Sequence, residues 1–346
     1  MEQHTNKFGD IVKKILKFIL FFGIGAFFIW LSVRKLSPDD VENLKESAAQ
    51  VTRGSAWVFL FLAFLVAAIS NYIRALRNRQ LLQPLGYETR TSMVFYSVMV
   101  MYLANYAFPR LGEVLRCTFL QRYEKVPFEK SLGTVVTERA VDLICLILVF
   151  LSAFVINTGL LDSIKVGDVT LRESLSTKFS AMTHNYTMFI LLGAIVAFVI
   201  IAILTKKWWS KINFFVKIKN FFVGIWQGLV SIKDLKNPGL FLVYTVSIWI
   251  LWILETVFCF QAFDFLAGMS FTVMFTVFAL GNLGFLIGPG GIGAYPLIVA
   301  ATLVLFGVDY SAGLAAGWIG WGVQTLQVLV LGIFSMIATS FVKRKE

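Results

Sequence analysis

Three features of the sequence predict an all-α, polytopic helical membrane protein. Hydrophobic residues make up 58% of the 346-residue chain and charged residues only 15%, with a mean hydropathy of +0.77. A water-soluble domain of this length needs far more polar surface to cover its core. Apolar segments of about 17 residues or more, poor in charge, recur along the chain, as a hydrocarbon layer about 30 Å thick requires of a helix. Lys and Arg gather in the short stretches between these segments, where they set topology and meet anionic headgroups. Their position also accounts for the net charge of +11. With no recognition motif present, the basic balance points to membrane lipids as partners and away from nucleic acid.

Six full spans are expected, at about Ile15–Val33, Trp57–Ile73, Ser131–Ile156, Thr187–Thr205, Leu240–Ala262 and Ala312–Ser340. In the first, Lys7, Lys13, Lys14 and Lys17 come before an apolar run to Val33, as in a signal peptide. Its apolar run is long for a leader and no A-x-A site precedes Arg34, so it reads as a retained span. Two stretches depart from the pattern. Met93–Phe108 supplies helix for only about 24 Å and stops at Pro109. Phe271–Ile287 stops at Gly288-Pro289-Gly290-Gly291-Ile292-Gly293, and the short apolar run Ala294–Phe306 follows.

Charge counting decides how these two stretches cross. The N-terminal tail, Arg74–Arg90, Lys206–Lys236 and the C-terminal Lys343-Arg344-Lys345 are basic and are expected on the cytoplasmic side of the cytoplasmic (plasma or inner) membrane, so both termini are expected there. Placing them all inside requires an odd number of net crossings between Arg90 and Asn157, and again between Phe263 and the C-terminus. The economical solution folds Met93–Gln121 and Phe271–Phe306 into re-entrant helical hairpins, the first opening to the cytoplasm and the second to the outside. The competing reading lets one or both span fully.

An internal similarity agrees with the hairpins. Leu103-Ala104-Asn105-Tyr106-Ala107-Phe108-Pro109, with Gly112 after it, resembles Leu280-Gly281-Asn282-Leu283-Gly284-Phe285, with Pro289 and Gly293 after it. The chain thus reads as a single integral membrane domain over residues 1–346. Its repeat-like halves, at about 57–156 and 240–340, are inverted, an arrangement common in secondary transporters. Gly284-x-x-x-Gly288 and Gly313-x-x-x-Gly317 suit tight helix packing. Trp208, Trp209 and Trp226 among lysines read as an interfacial amphipathic segment.

The first break carries the most chemistry. In Phe108-Pro109-Arg110-Leu111-Gly112-Glu113, Pro109 suits the first position of a new half-helix. The free N–H groups and positive end of that helix would lie at membrane depth, beside Arg110 and Arg116. Such a helix end suits a phosphate group, and irregular backbone at this depth is expected to line a cavity. Ordinary interfacial arginines on a cytoplasmic turn are the bland alternative. Glu138 and Asp142 share a helix face that Thr134 extends, and Arg139 and Asp142 are spaced to pair. This cluster is expected to meet Arg110 and Glu113 in one polar network, which would bind a headgroup or simply hold helices together. Glu255 is a lone carboxyl within a span, read either as a proton carrier or as an acid satisfied by one helix–helix hydrogen bond. Asn105 and Asn282 precede the two breaks and are expected to bond the unwound backbone near the headgroup. Pro289, Gly290, Gly291 and Gly293 form the second break. It lacks the preceding strand and following Lys-Ser/Thr of a nucleotide loop.

No catalytic residue, metal site or cofactor is expected. Cys117, Cys145 and Cys259 have no paired spacing, and His4 and His184 are the only histidines.

The ordered set Pro109-Arg110-x-Gly112-Glu113-x-x-Arg116, Glu138-Arg139-x-x-Asp142 and Pro289-Gly290-Gly291-Ile292-Gly293 resembles the lysylphosphatidylglycerol synthase transmembrane-region family of flippase-like membrane domains, over nearly the whole chain. The resemblance implies a membrane domain that moves lipids, in some members fused to a soluble aminoacyl-transferase. That synthase domain is expected to be absent here. Two departures touch the second half: Pro296 stands where the family often has an acid, and Gly317-Trp318-Ile319-Gly320-Trp321 replaces a run that often holds a basic residue. The resulting expectation is a non-enzymatic lipid translocase for an anionic phospholipid or lipid-linked phosphate. Arg110, Arg116 and Arg139 would hold the headgroup, and Glu113 or Glu255 would carry coupling protons. A separate lipid-synthesising enzyme is an expected partner. A membrane-embedded lipid-modifying enzyme and a non-transporting scaffold of a glycolipid or envelope pathway are the rivals.

Overall fold

In a lipid layer the backbone has no water to bond, so each crossing segment must satisfy its own amides as a helix. The computed structural model describes residues 26–34, 36–107, 111–157, 232–287 and 289–343, with residues 23, 159, 165–166, 169–170, 173 and 176. Residues 26–33 are helical. They are followed by α1 (Pro38–Gln50), α2 (Ala56–Leu82), α3 (Thr91–Ala107), α4 (Leu111–Glu124) and α5 (Phe128–Ile156). After Ile232 come α6 (Pro238–Gln261), α7 (Phe271–Gly281), α8 (Leu283–Ile287), α9 (Ala294–Val304) and α10 (Tyr310–Ser340). The only strands among the described residues are Lys165–Val166 and Val169–Thr170, paired antiparallel.

Four of these helices are long and apolar enough to cross a membrane: α2 with its short extension to Leu85, α5, α6 and α10. Their outward faces carry Leu148, Leu151 and Val155 on α5 and Leu242, Val243 and Val246 on α6, all exposed. Hydrocarbon is as apolar as these side chains, so close packing rather than hydrophobicity joins the helices. Small residues supply that closeness. A Cβ on Gly317 of α10 would lie 2.7 Å from the Pro296 Cα of α9, and one on Gly332 would lie 2.9 Å from the Leu103 Cβ of α3. Polar caps start the helices. The Asn237 side chain accepts from the Leu240 N–H of α6 at 3.1 Å, and Asp309 Oδ1 accepts from the Ser311 N–H of α10 at 2.8 Å.

The helices α3 and α4 pack on each other, as do α7 and α9. Arg90, just before α3, donates to Glu124 at the end of α4 (2.7 Å) and to the Lys343 carbonyl beyond α10 (3.3 Å). The first hairpin therefore begins and ends where α10 ends. Met274 near the start of α7 and Leu303 near the end of α9 share an apolar cluster with Val51, Phe263 and Val308. The second hairpin begins and ends where α10 starts, at the other end of the bundle.

Two expectations change. The span expected at Trp57–Ile73 continues as helix to Leu82, so Arg74, Arg77 and Arg79 lie on α2 and not in a loop. Burial against α5 and α6 makes this possible, because partners inside the bundle offset the cost of the charges. The stretch Phe271–Ile287 is not one helix but two, α7 and α8, divided at Asn282. The expected span Thr187–Thr205, most of Ile15–Val33 and the segment bearing Trp208, Trp209 and Trp226 lie outside the described residues.

Candidate functional site

The start of α4 is organised from the neighbouring helix. Near the end of α3, Asn105 Oδ1 accepts from the Gly112 N–H at 2.9 Å, and Asn105 Nδ2 donates to Glu113 Oε1 at 3.4 Å. Asn105 thus caps a first-turn amide that has no intrahelical partner. Gly112 is required for the approach, since a Cβ there would lie 2.1 Å from the Met101 carbonyl oxygen. Pro109 and Arg110 lie outside the described residues.

From this point a ladder of charge runs into the bundle. Glu113 Oε1 accepts from Arg139 Nη2 at 2.8 Å, at the exposed edge. One turn further along α4, Arg116 donates to Glu138 Oε2 at 2.7 Å, with side chains 1% and 3% exposed. One turn deeper on α5, Asp142 lies 2.8 Å from Arg77 Nη1 and 3.1 Å from Arg74 Nη1. Arg77 also reaches the Thr245 hydroxyl of α6 (3.4 Å), and Asn78 donates to Thr134 (3.2 Å). Aromatic faces complete the surroundings: the Arg74 guanidinium lies 4.9 Å from the Trp252 ring and 5.7 Å from that of Tyr102.

The ladder carries unmatched polarity. Arg74, Arg77 and Arg116 are buried against the carboxylates of Glu138 and Asp142, an excess of one positive charge, while Arg139 and Glu113 balance each other at the rim. Buried Arg116 Nε and Nη2, Arg77 Nε and Nη2, Arg74 Nε and Glu138 Oε1 have no hydrogen-bond partner among the described residues. A buried polar atom left unpaired costs about 1–3 kcal/mol, so donors grouped in this way suit water or an anionic ligand.

The second break meets the end of α3. Gly290, Gly291 and Gly293 have φ of 56°, 73° and 69°, a region that side chains with a Cβ avoid. A Cβ on Gly290 would lie 3.2 Å from the Tyr106 ring. Trp321 Nε1 of α10 donates to the Gly290 carbonyl at 2.9 Å, and Thr325 donates to the Tyr106 hydroxyl at 3.3 Å. Asn282 Nδ2 donates to the Phe278 carbonyl of its own turn at 2.7 Å, so it secures the α7–α8 break and not the Pro-Gly turn. Glu255 is buried on α6 within electrostatic range of Tyr106, Tyr295 and Cys259, and has no hydrogen bond among the described residues.

The structure thus brings together Asn105, Glu113, Arg116, Glu138, Arg139 and Asp142. It leaves Asn282, Pro289, Gly290, Gly291 and Gly293 at the second break, with Tyr106 as the link. The expected Arg139–Asp142 pair does not form. Asp142 turns to two buried guanidiniums on α2, and Arg139 turns to Glu113 at the rim. Arg74 and Arg77 are the residues that charge counting misplaced. Their signal was helical spacing: Ser70, Asn71, Arg74, Arg77 and Asn78 recur at three- and four-residue intervals and are all buried.

Broken short helices that meet inside an apolar bundle, beside a buried ladder of charge, define a polytopic helical membrane protein. The chain belongs to the lysylphosphatidylglycerol synthase TM region family, which it matches over residues 15–332. Family and helical fold together support a membrane-embedded protein that handles lipids. It is also similar to Glycosyltransferase AglD of Haloferax volcanii, at 24% identity over 307 residues, covering 80% of this chain and 48% of that protein. The chain therefore spans about half the length of this curated relative. No solved structure matches it. The two positions where the family resemblance led us to expect an acid and a base, Pro296 and the run from Gly317, adjoin one another as a close helix–helix contact.

Proposed function

We propose that the chain is a lipid translocase that carries an anionic phospholipid or a lipid-linked phosphate across the cytoplasmic membrane. The observation that carries this reading is the buried ladder. The Nε and Nη2 donors of Arg116 and Arg77 lie inside an apolar bundle without partners among the described residues, Arg116 being one turn from the start of a short helix. A phosphate offers the acceptors these donors lack, and the lipid tails can remain against the apolar outer faces of α5 and α6.

In this reading Arg116, with Arg110, holds the phosphate. Arg139 receives it at the rim, where Glu113 is its resting partner. Glu138 and Asp142 keep the guanidiniums oriented when no headgroup is bound. Asn105 acts through the backbone of the first break, and Asn282 through that of the α7–α8 junction. The hairpins are re-entrant and form an inverted repeat within six full spans, both termini being cytoplasmic. The short lengths of α3, α7 and α9 and the gathering of each hairpin's two ends support this arrangement. Glu255, near the meeting point of the breaks, is the proposed carrier of a coupling proton. The reading requires no bond to be made or broken in the lipid. A separate lipid-synthesising enzyme is the proposed partner, in keeping with a relative named as a glycosyltransferase.

The test is reconstitution in liposomes with labelled anionic and zwitterionic lipids. The double variant Arg116→Met plus Glu138→Leu removes a buried ion pair without stranding either charge, a change that is often neutral for stability. It should stay folded yet move anionic lipids at least about tenfold more slowly, ~1.4 kcal/mol in barrier terms. Arg110→Ala and Glu113→Gln should slow the same lipids. Wild-type rates in the double variant would reduce the ladder to a structural clamp.

A further inference from the structure

A second polar site lies at the other end of the bundle. The α1–α2 turn and the C-terminal end of α6 border an open cavity of about 330 Å³, lined by Gln50, Arg53, Ser55, Gln261 and Asp264. That volume is within the range of small-molecule sites, roughly 300–1,000 Å³. From Ala56 at its edge, α2 runs about 27 Å before it reaches Arg74 of the ladder. The cavity therefore stands at the start of this membrane-crossing helix, and the ladder meets it well along its length, before its end at Leu82.

The lining is charged with both signs. Arg53 and Asp264, both exposed, face the same cavity, and among the described residues neither side chain makes an ion pair or hydrogen bond. Gln50 Oε1 is buried and has no partner among the described residues. Gln261 is already engaged, with its Nε2 donating to the Ala267 carbonyl at 3.3 Å. The adjoining turn is held by the Arg53 N–H, which donates to the Gln50 carbonyl at 3.0 Å. Beneath it, Val51, Phe260, Phe263 and Leu266 form a buried apolar floor.

This combination selects a ligand chemistry. A simple anion would suit Arg53 but would be repelled by Asp264. A simple cation would meet the reverse conflict. A molecule that carries both a phosphate and an ammonium satisfies each, and its ammonium also gives Gln50 Oε1 the donor it lacks. The first turn of α2 has no acidic residue and its Ser55 N-cap makes no side-chain hydrogen bond, so that turn itself is open to a phosphate. Trp57, 62% exposed next to the lining, offers an aromatic anchor at the membrane interface.

We propose that this cavity is a second headgroup site, selective for a zwitterionic lipid headgroup of the phosphate–amine class. Arg53 binds the phosphate, and Asp264 with Gln50 binds the ammonium. Its role as a station on the far side of the membrane rests on the translocase reading; its binding chemistry does not.

Titration of the full chain in detergent micelles tests the proposal, with glycerophosphoethanolamine, glycerophosphate and short-chain dihexanoyl phosphatidylethanolamine as probes. Arg53→Gln and Asp264→Asn should each weaken glycerophosphoethanolamine at least tenfold, about 1.4 kcal/mol. Only Arg53→Gln should weaken glycerophosphate. The short-chain lipid should bind more tightly than its deacylated headgroup, and Trp57→Ala should remove that advantage. Unchanged affinity in both charge variants, or no binding by any probe, would overturn the site, and equal affinity for lipid and free headgroup would overturn its assignment to a lipid. A wild type that translocates nothing yet shows these losses sinks the translocase and leaves this site standing. Ladder-dependent translocation with normal binding in both variants does the opposite.

Discussion

A guanidinium in hydrocarbon is costly unless a carboxylate pairs with it, and Arg77 and Arg116 each have one, in Asp142 and Glu138. The spacing of Glu138 and Asp142 made one charged face of α5 legible in advance. Which arginine each would meet was not, because Arg116 lies on α4 and Arg74 and Arg77 on α2, far apart in the chain. Outside the membrane a different carboxylate gives a pH prediction. The Asp309 carboxylate is held below the usual range, first by the Ser311 hydroxyl and then by the backbone N–H groups of Ala312 and Ser311. The folded state thus binds fewer protons than the unfolded one, whose carboxyl titrates near ~3.9. Its stabilisation is fully present above that value and is lost as pH falls through the lower, folded value. Thermal melts should show wild type losing more stability than Asp309→Asn as pH drops below about 4. Parallel losses in both proteins would refute the contribution.

At the level of the element, the two hairpins depend on glycine and asparagine more than on apolar pattern. Gly112 lets α3 and α4 approach to a distance that a methyl group forbids. Gly112→Ala should destabilise the protein by about 1–3 kcal/mol, the usual range for overpacking, and should loosen the Asn105 cap. Denaturant midpoints would check it, with Gly133→Ala as the control. Gly133 has open space around its Cβ position, and Ala there should be neutral or slightly stabilising. The Pro and Gly residues marked both breaks in the sequence. The further break at Asn282 was not legible, since an asparagine that returns to its own turn differs from any other only in where its amide points. The extension of α2 to Leu82 escaped for a related reason: arginines end a hydropathy run without ending a helix.

For the whole molecule the question is sidedness. The first hairpin's ends lie with the end of α10, and the second's with its start. A single cysteine at Lys125 and one at Ser270, each in a background lacking Cys117, Cys145 and Cys259, should therefore be labelled from opposite faces of the membrane. Labelling from the same face would remove the oppositely opening hairpins and the inverted repeat with them. Hydropathy and the Pro-Gly breaks determined the membrane class, the helical fold and where the long apolar segments are interrupted, because each follows from local composition against a slab of fixed thickness. Only the tertiary structure decided that Arg74 and Arg77 join the charged network, that Tyr106 covers Gly290, and that Arg53 and Asp264 face one cavity. Those contacts join residues remote in the chain, and the packing of neighbouring helices, not periodicity, selects which of the available partners a buried charge meets.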